Sequence, residues 1–408
     1  MKKVLKTILS AAMVAAMATS LVACGGGQST AKEETKAAEA AETTAAAEGE
    51  TQAAAEAAPA EGGLNICIIT TSGVDDGSFN QNCYEGITSF IAENADCTVT
   101  DIKKNTLDTA ELLTTIEGVV GDYDVLVLPG FNFAAIGDIA IDNPDTKFLV
   151  VDSTITHADG TPIEEAPLPN VYTMTFSEQQ GGFFAGVAAA MTTTTGKVAV
   201  VNGVAYPSNV NYQYGFMSGV NYANAHFGTS AECVEVASYA GTDVMGNNVG
   251  GNYVGSFADE AQGKVVAETL IGEGVDILFA AAGSSGNGVF TAAMEASGVM
   301  VIGCDVDQYD DCIKDGASIV LTSTIKGMDV NVNRQLNAIK DGTFAGEDAY
   351  LDASTDSAGY VAADGRNLLS DDAKAKLEEV YALVKDGTIV PAADATANEY
   401  LPDNFPGL

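Results

Sequence analysis

The sequence contains no Trp, only two His and few cationic residues. Its 408 residues include 18 Lys and Arg against 56 Asp and Glu, which gives a formal net charge of −38. General binding to nucleic acids is excluded, because that binding depends on Lys and Arg that neutralise phosphates. His157 and His226 lie far apart and lack Cys or carboxylate residues at the spacing of metal ligands. The sequence therefore argues against a zinc site built on His and against a nucleophile activated by His.

Signatures of catalysis are also missing. Ser323 and Lys326 have the spacing of the Ser-x-x-Lys motif of penicillin-recognising enzymes, but the partner motifs Ser-Asp-Asn and Lys-Thr-Gly are absent from the sequence. The Gly-rich segment 283–288 lacks the Gly-Lys-Ser/Thr ending of a phosphate-binding loop. We predict from these absences that the protein is not an enzyme and uses neither a cofactor nor a metal ion.

The N-terminus has the features of an export signal. Three Lys occur within the first six residues, and residues 8–18 form an apolar run that is too short to span a bilayer. Residues 21–25 read Leu-Val-Ala-Cys-Gly, which resembles the lipobox of bacterial lipoproteins. This resemblance implies that residues 1–23 are a signal peptide and that Cys24 carries lipid, such as palmitate. The lipid would anchor the protein to the extracytoplasmic face of the cell membrane. The alternative is an ordinary secretory signal followed by an accidental Cys.

Residues 24–62 are expected to form a disordered tether that begins at the lipidated Cys24. The stretch 28–61 consists mainly of Ala, Glu and Thr, and it contains no aromatic residue and no Leu, Ile or Val. Such a segment buries too little apolar surface to offset the entropy that is lost on ordering. We therefore interpret it as a mobile spacer between the membrane and the folded part of the chain.

An alternation of strand-like and helix-like segments begins at Leu64. Short apolar or β-branched runs predict strands at residues 64–70, 125–130, 147–152, 196–203, 276–283, 299–305 and 318–326. Segments with helical spacing lie between them, at residues 80–93, 109–120, 178–191, 208–227, 258–271, 286–296 and 328–340. Uninterrupted apolar strands indicate parallel sheets that are covered on both faces. The predicted fold is therefore α/β, with two doubly wound parallel-sheet lobes joined by a hinge.

Polar and glycine-rich clusters follow several of the predicted strands. They occupy residues 70–81, 255–259, 281–288, 303–308 and 323–329. Ligands of parallel sheets bind at the carboxyl ends of strands, so a two-lobed chain predicts a cleft between facing strand ends. A purely structural interpretation stays open, in which Asp75 and Asp76 form turns and Phe79 packs inward. In the same interpretation, Asp305 and Lys326 form a structural ion pair at the hinge.

Two of these clusters carry a family resemblance. Residues 75–80 read Asp-Asp-Gly-Ser-Phe-Asn, and residues 305–308 read Asp-Val-Asp-Gln. In this order, the motifs resemble those of the basic membrane protein (BMP) family of PnrA-like lipoproteins, over about residues 64–390. The resemblance implies a fold like that of type I periplasmic binding proteins. It also implies a solute-binding protein that captures a nucleoside, a purine nucleoside in this family, and delivers it to an ABC transporter permease.

The resemblance implies a site for the nucleobase. Phe79 and Phe257, one from each lobe, match the aromatic residues that sandwich the base, and Asn80 matches a residue at the base edge. Face-on stacking supplies affinity with little dependence on which base is bound. The chain departs from the family at Thr70, where the family usually has an Asp that reads the purine edge. Because Thr cannot replace both acceptors of a carboxylate, a pyrimidine nucleoside, a modified nucleoside or another ribosyl-like ligand stays open.

The resemblance also implies a site for the ribose. Gly283, Asp305 and Lys326 match the residues at the sugar, where a carboxylate accepts from hydroxyls and Gly permits close backbone approach. Lys326 is expected to neutralise Asp305 and to donate to a hydroxyl group. Asp152, at the end of a predicted strand, is a weaker candidate for a polar contact.

The two lobes are predicted to exchange segments. We expect the N-terminal lobe to comprise residues 63–175 and about 307–325, and the C-terminal lobe residues 176–306 and about 326–408. The chain is then expected to cross between lobes near residues 175, 306 and 325, and the cleft is expected to close by a hinge motion there. Six Cys besides Cys24 are present. Their pairing cannot be deduced from spacing, and we favour free thiols.

Two functional alternatives stay open at this stage. Within the binding class, the ligand could be a sugar or an autoinducer-like furanoside instead of a nucleoside. Outside it, the protein could be an extracytoplasmic sensor or a surface adhesin, which predicts a solvent-exposed patch for a partner.

Overall fold

The computed structural model of the chain describes residues 62–394. The predicted signal peptide, the lipidation site at Cys24 and nearly all of the predicted tether lie outside the described residues. The strands of the described part are β1 (Asn65–Thr70), β2 (Thr98–Lys103), β3 (Val125–Pro129), β4 (Lys147–Val151), β5 (Val171–Phe176), β6 (Lys197–Asn202), β7 (Glu232–Cys233), β8 (Gly241–Thr242), β9 (Asn248–Gly250), β10 (Ile277–Ala281), β11 (Met300–Gly303), β12 (Ile313–Lys314), β13 (Ala317–Ser318), β14 (Val320–Lys326), β15 (Glu347–Leu351) and β16 (Ala358–Tyr360). The α-helices are α1 (Phe79–Glu93), α2 (Thr109–Val119), α3 (Gly137–Asp142), α4 (Glu178–Thr192), α5 (Pro207–His226), α6 (Glu260–Gly272), α7 (Ser285–Glu295), α8 (Met328–Lys340) and α9 (Asp371–Lys385).

The first lobe is built on a six-stranded parallel sheet with the order β15-β5-β4-β3-β1-β2. Successive side chains of β1 point to opposite faces of this sheet. Ile66 and Ile68 pack in the core that contains α1 and α8, while Cys67 and Ile69 pack in the core that contains α2. Both faces are therefore covered, which is why the strand reads as an uninterrupted apolar run.

The second lobe is built on a six-stranded sheet with the order β16-β14-β11-β10-β6-β7. All strands of this sheet are parallel except the edge strand β16, which pairs with β14 in the antiparallel sense. Helices α4, α5 and α9 contribute to the core on one face, and α6 and α7 contribute to the core on the other. The prediction of two doubly wound α/β lobes is confirmed.

The predicted lobe boundaries beyond residue 306 are wrong. Strand β14 belongs to the second lobe, because its backbone pairs with β11. Helix α8 and β15 belong to the first lobe: Met328 packs in the core of α1, and β15 pairs with β5. The chain therefore crosses between lobes after β5, between β14 and α8, and between β15 and β16. The crossings expected near 175 and 325 agree with this path, whereas the loop around residue 306 stays within the second lobe.

Six cysteines of the described part are free thiols. They are Cys67, Cys83, Cys97, Cys233, Cys304 and Cys312. Burial raises the pKa of the Cys67 thiol to about 12, so that this group behaves as a small apolar side chain. The free state agrees with the interpretation favoured from the sequence.

Helices α4 and α5 approach each other closely enough to require glycine. A Cβ atom added at Gly186 would lie 2.1 Å from the backbone oxygen of Phe216, and one at Gly219 would lie 2.2 Å from that of Phe183. Backbone atoms cannot move aside as the end of a flexible side chain can. These glycines therefore set the distance between the two helices that cover one face of the second sheet.

Replacing Gly186 by Ala should destabilise the protein, since the new methyl group clashes with backbone and overpacking typically costs about 1–3 kcal/mol. The matched control is Gly118→Ala in α2, where a Cβ meets no atom within 4 Å. That change should be neutral, or stabilising by up to about 1 kcal/mol through helix propensity. Urea unfolding followed by circular dichroism measures both. Equal effects of the two substitutions would contradict the close contact.

Candidate ligand-binding cleft

A cavity lies between the carboxyl ends of the two sheets and contains about 630 Å³ of space, its opening included. The first lobe supplies Thr71, Ser72, Asp76, Phe79, Asn80, Pro129, Gly130, Phe131, Asn132 and Asp152. The second lobe supplies Tyr206, Ser208, Asn209, Tyr212, Phe257, Ala281, Gly283, Cys304, Asp305 and Lys326. The structure thus brings together all but one of the side chains that were predicted to bind ligand.

The exception is Thr70. Its side chain is fully buried, and its Oγ1 accepts a hydrogen bond from the backbone N–H of Gly73 at 3.0 Å. The hydroxyl therefore shapes the loop after β1 and is absent from the cavity lining. Thr70 lies at the buried end of β1, and its predicted contact with a ligand stays a prediction.

Asp76 holds the loop after β1. From the sequence, only a role in a turn was predicted for this residue. Its Oδ1 accepts from the backbone N–H of Ser78 at 3.1 Å and of Gln81 at 3.0 Å, and its Oδ2 accepts from that of Asn80 at 3.0 Å. Burial raises the pKa of this carboxyl, and the backbone hydrogen bonds oppose that rise. Asp76 thereby caps α1 and fixes its first residue, Phe79, at the cavity.

Asn80 keeps one polar atom without a partner. Its Nδ2 donates to the Oγ of Ser72 at 2.8 Å and to the Oδ2 of Asp76 at 2.9 Å. Its Oδ1 is buried and has no hydrogen-bond partner within residues 62–394. Only 3% of the residue is exposed, so the carbonyl oxygen lacks the solvent that could satisfy it. An unpaired acceptor of this kind at a cavity is available to an N–H or O–H donor.

The aromatic lining is larger than predicted. The ring centroid of Tyr206 lies 5.3 Å from that of Phe131 and 6.0 Å from that of Phe257. Phe257 itself packs over Gly203, where a Cβ atom would lie 2.2 Å from the ring. Phe131 and Tyr206 were not predicted as site residues. Both nevertheless follow strand ends, as the predicted site residues do.

The predicted ion pair between Lys326 and Asp305 is wrong. The Nζ of Lys326 lies 2.5 Å from the Oδ1 of Asp152 and 3.0 Å from the Oε1 of Glu178. Burial disfavours the charged ammonium, but Asp152, Glu178 and Asp305 outweigh this effect and raise the pKa of Lys326. Lys326 is 3% exposed and is the cationic residue among those described that line the cavity.

Asp305 is held by hydroxyl groups instead. Its Oδ2 accepts from the Oγ of Ser78 at 2.8 Å, and its Oδ1 accepts from the hydroxyl of Tyr212 at 3.1 Å. Ser78 belongs to the first lobe and Asp305 to the second, so this bond crosses the cleft. The loop of Asp305 makes a second cross-cleft bond, from the Nε2 of Gln308 to the backbone oxygen of Gly77 at 3.0 Å.

Asp152 and Asp305 share an unusual backbone conformation. Their φ angles are 67° and 72°, in the left-handed region that favours glycine. Asp152 directly follows β4, and Asp305 lies two residues after the end of β11. Both residues line the cavity. Burial raises the pKa of Asp152 to about 7, against the lowering effect of Lys326. Both buried carboxyl groups are thereby placed at one cavity, as candidate groups for contact with a ligand.

No group of three or more His, Cys, Asp or Glu residues within 62–394 could hold a metal ion. No helix in the same range combines the length and the apolar character that a membrane crossing requires.

Comparison with known proteins gives a family and several similar proteins. The sequence model of the family described as ABC transporter substrate-binding protein PnrA-like (Bmp) matches residues 64–244 and 245–394. The CD4+ T-cell-stimulating antigen of Listeria innocua is 30% identical over 348 residues, which cover 80% of this chain and 87% of that protein. The ABC transporter nucleoside-binding protein BmpA of Lactococcus lactis is 31% identical over 307 residues, covering 69% of this chain and 77% of that protein.

A solved structure shares the fold. An ABC transporter solute-binding protein from Aeropyrum pernix K1 matches with a TM-score of 0.65, covering 82% of this chain and 95% of that chain. The two sequences are 22% identical over this match. The likeness therefore concerns the architecture of the two lobes.

Replacing Lys326 by Met should lower the free energy of unfolding by about 3–5 kcal/mol, because it leaves two buried carboxylates without their cation. The control is Lys374→Met, which removes an ion pair with the almost fully exposed Asp364 and should cost no more than about 1 kcal/mol. Urea unfolding of the ligand-free protein measures both changes. A loss at Lys326 no larger than that at Lys374 would refute the buried ion contacts.

Proposed function

The chain belongs to the PnrA-like family of ABC transporter substrate-binding proteins, and we propose that it captures a nucleoside between its lobes for an ABC permease. It is a binding protein and not an enzyme. The observation that carries the ligand assignment is the cavity itself. It combines two Phe rings from opposite lobes, an unpaired amide oxygen and a buried ion cluster.

The base is proposed to bind between Phe79 and Phe257. Both side chains line the same cavity from different lobes, which supports a sandwich that forms as the lobes close. Stacking on an aromatic ring contributes about 1–3 kcal/mol per base and tolerates any base. The aromatic pair therefore provides affinity, and the selection among bases must come from polar groups at the ring edge.

The base edge is proposed to meet Asn80 and Ser72. The free Oδ1 of Asn80 accepts an N–H of the base, while the Ser72 hydroxyl, which accepts from Asn80, keeps its own hydrogen for donation. Such a pair suits an edge with neighbouring donor and acceptor atoms, as purines have. Because Thr70 supplies no carboxylate, we expect a less strict choice among bases than a two-acceptor Asp would give.

The sugar is proposed to bind at Gly283, Asp305, Lys326 and Asp152. Gly283 has a φ of 54°, and a Cβ atom there would lie 3.2 Å from the backbone oxygen of Phe257. A side chain at this position is therefore strained, and its absence lets the ribose approach the backbone. The two carboxylates accept hydrogen bonds from vicinal hydroxyls, and the ammonium donates to them.

The charge of the cavity supports an uncharged ligand. Asp76, Asp152 and Asp305 line it, against the single ammonium of Lys326, which Asp152 and Glu178 already contact. A phosphate group would meet this excess of carboxylates without a free cation. A nucleoside carries no net charge and brings hydroxyl and N–H donors to the unpaired acceptors.

The nucleoside proposal is tested by calorimetry on the chain without residues 1–24. Purine nucleosides should bind, 5′-monophosphates should bind at least about 100-fold more weakly, and Phe79→Ala should weaken nucleoside binding about 10- to 100-fold. Phe227→Ala, which removes the same atoms away from the cavity, is the matched control. Heat from sugars or furanosides but from no nucleoside would overturn the ligand assignment, and unchanged binding by Phe79→Ala would overturn the stacking.

We further propose that Cys24 carries lipid that holds the protein at the extracytoplasmic face of the cell membrane, with residues 25–62 as its tether. The lipobox-like sequence at 21–25 supports this proposal. One acyl chain gives only reversible membrane binding, so stable attachment needs more than one.

Replacing Cys24 by Ser should move the protein from the membrane fraction to the soluble extracytoplasmic fraction and abolish labelling with palmitate in a bacterial host. Cys233→Ser is the control, since this half-buried thiol in β7 lies far along the sequence from the lipobox. Persistent membrane attachment and labelling of the Cys24 variant would rule out the proposed anchor.

A further inference from the structure

Glu178 is a buried carboxylate that the site as described so far does not use. It is 4% exposed and is not among the residues that line the cavity. Its Oε1 lies 3.0 Å from the Nζ of Lys326. We propose that Glu178 is a positioning residue, which keeps the Lys326 ammonium charged and directed for donation to sugar hydroxyls. This inference rests on the proposed nucleoside function.

The position of Glu178 in the fold explains why it can act on Lys326. Glu178 is the first residue of α4 and directly follows the crossing from β5. Lys326 is the last residue of β14 and directly precedes the crossing to α8. Their contact therefore joins two of the crossing segments side by side. The helix N-terminus also favours a negative charge at Glu178, so the carboxylate is stabilised before Lys326 is considered.

Both oxygens of Glu178 are engaged. While Oε1 contacts Lys326, Oε2 accepts from the Nδ2 of Asn211 in α5 at 3.0 Å. The carboxylate is thereby fixed between two helices and a strand, and it cannot turn away from the ammonium without losing a buried hydrogen bond. A group fixed in this way can hold the direction of a flexible Lys side chain.

The two carboxylates at Lys326 have different surroundings. Asp152 lines the cavity, whereas Glu178 lies behind the ammonium. An ammonium has three N–H donors, so contacts with two carboxylates leave one for the ligand. Without the charge of Glu178, Lys326 would depend on Asp152 alone. The stronger pairing between Lys326 and Asp152 would make both groups less available to the sugar. We therefore expect a loss of affinity that is selective for ligands with sugar hydroxyls.

The selectivity gives a test. Calorimetry compares a purine nucleoside with its 2′,3′-dideoxy counterpart, which lacks the hydroxyls that Lys326 is proposed to contact. Glu178→Gln should weaken binding of the nucleoside about 10-fold and that of the dideoxynucleoside by no more than about 2-fold. Glu178→Asp, which keeps the charge, should recover part of the loss.

The matched control is Glu260→Gln. Glu260 is likewise the first residue of a helix, α6, and its Oε1 accepts from the Nδ2 of Asn287 at 3.2 Å, but it is exposed and away from Lys326. Binding of both ligands should be unchanged in this variant. If Glu178→Gln does not fold, Asn211→Ala serves instead, because it keeps the charge and removes only the bond to Oε2; its nucleoside-selective loss should be smaller.

The outcomes separate the two proposals. Equal losses for both ligands, or no loss for either, would overturn the positioning role and leave nucleoside binding intact. A wild-type protein that binds neither ligand would overturn the proposed function and this inference together. A loss confined to the nucleoside, with partial recovery by Glu178→Asp, supports the assignment.

Discussion

The burial of one ammonium group constrains both lobes. Lys326 cannot remain charged in its buried position without carboxylates, and it takes one from each side: Asp152 follows β4 of the first sheet, and Glu178 begins α4 on the second lobe. The ends of these elements must therefore meet beside the crossing between β14 and α8. A buried ion cluster is weak support for stability in general. Its value here is geometric, since it fixes the polar end of the cavity at the hinge.

The helix start beside Lys326, whose Nζ lies 5.1 Å from the ring centroid of Phe79, follows a different rule. Helix α1 is capped by a residue of the loop that precedes it. Asp76 accepts hydrogen bonds from backbone N–H groups, and these bonds place Phe79 at the cavity. The same network occupies the Nδ2 of Asn80 and leaves its Oδ1 unpaired. Two neighbouring parts of the site are thus built in different ways: the contacts of Lys326 satisfy a buried charge, and those of Asp76 satisfy a helix terminus. The unpaired Oδ1 of Asn80 is the polar atom that is available to a ligand.

Local patterns predicted the strands, because β1, β3 and β4 are apolar on both faces and end at polar clusters. The cleft was predicted from the rule that ligands bind at strand ends. The candidate site residues were predicted from the family resemblance. Two things could not be read locally. The lobe to which β14 belongs depends on its pairing with β11 of the second sheet, which the sequence of β14 alone does not indicate. The partner of Lys326 depends on that placement, and Glu178 looked like an ordinary acidic residue at a helix start, a position normally exposed.

Few direct hydrogen bonds between the described residues of the two lobes hold the cleft closed at the cavity. Ser78 bonds to Asp305, Gln308 to Gly77, and the Nδ2 of Asn132 lies 3.0 Å from the hydroxyl of Tyr206. A neutral hydrogen bond contributes a net of about 0.5–1.5 kcal/mol, while closing the lobes also orders the side chains that meet. These two effects act in opposite directions on the free energy of closure. In the proposed binding mode, a base stacked between Phe79 and Phe257 contributes only to the closed form, and a ligand shifts the population through this differential affinity.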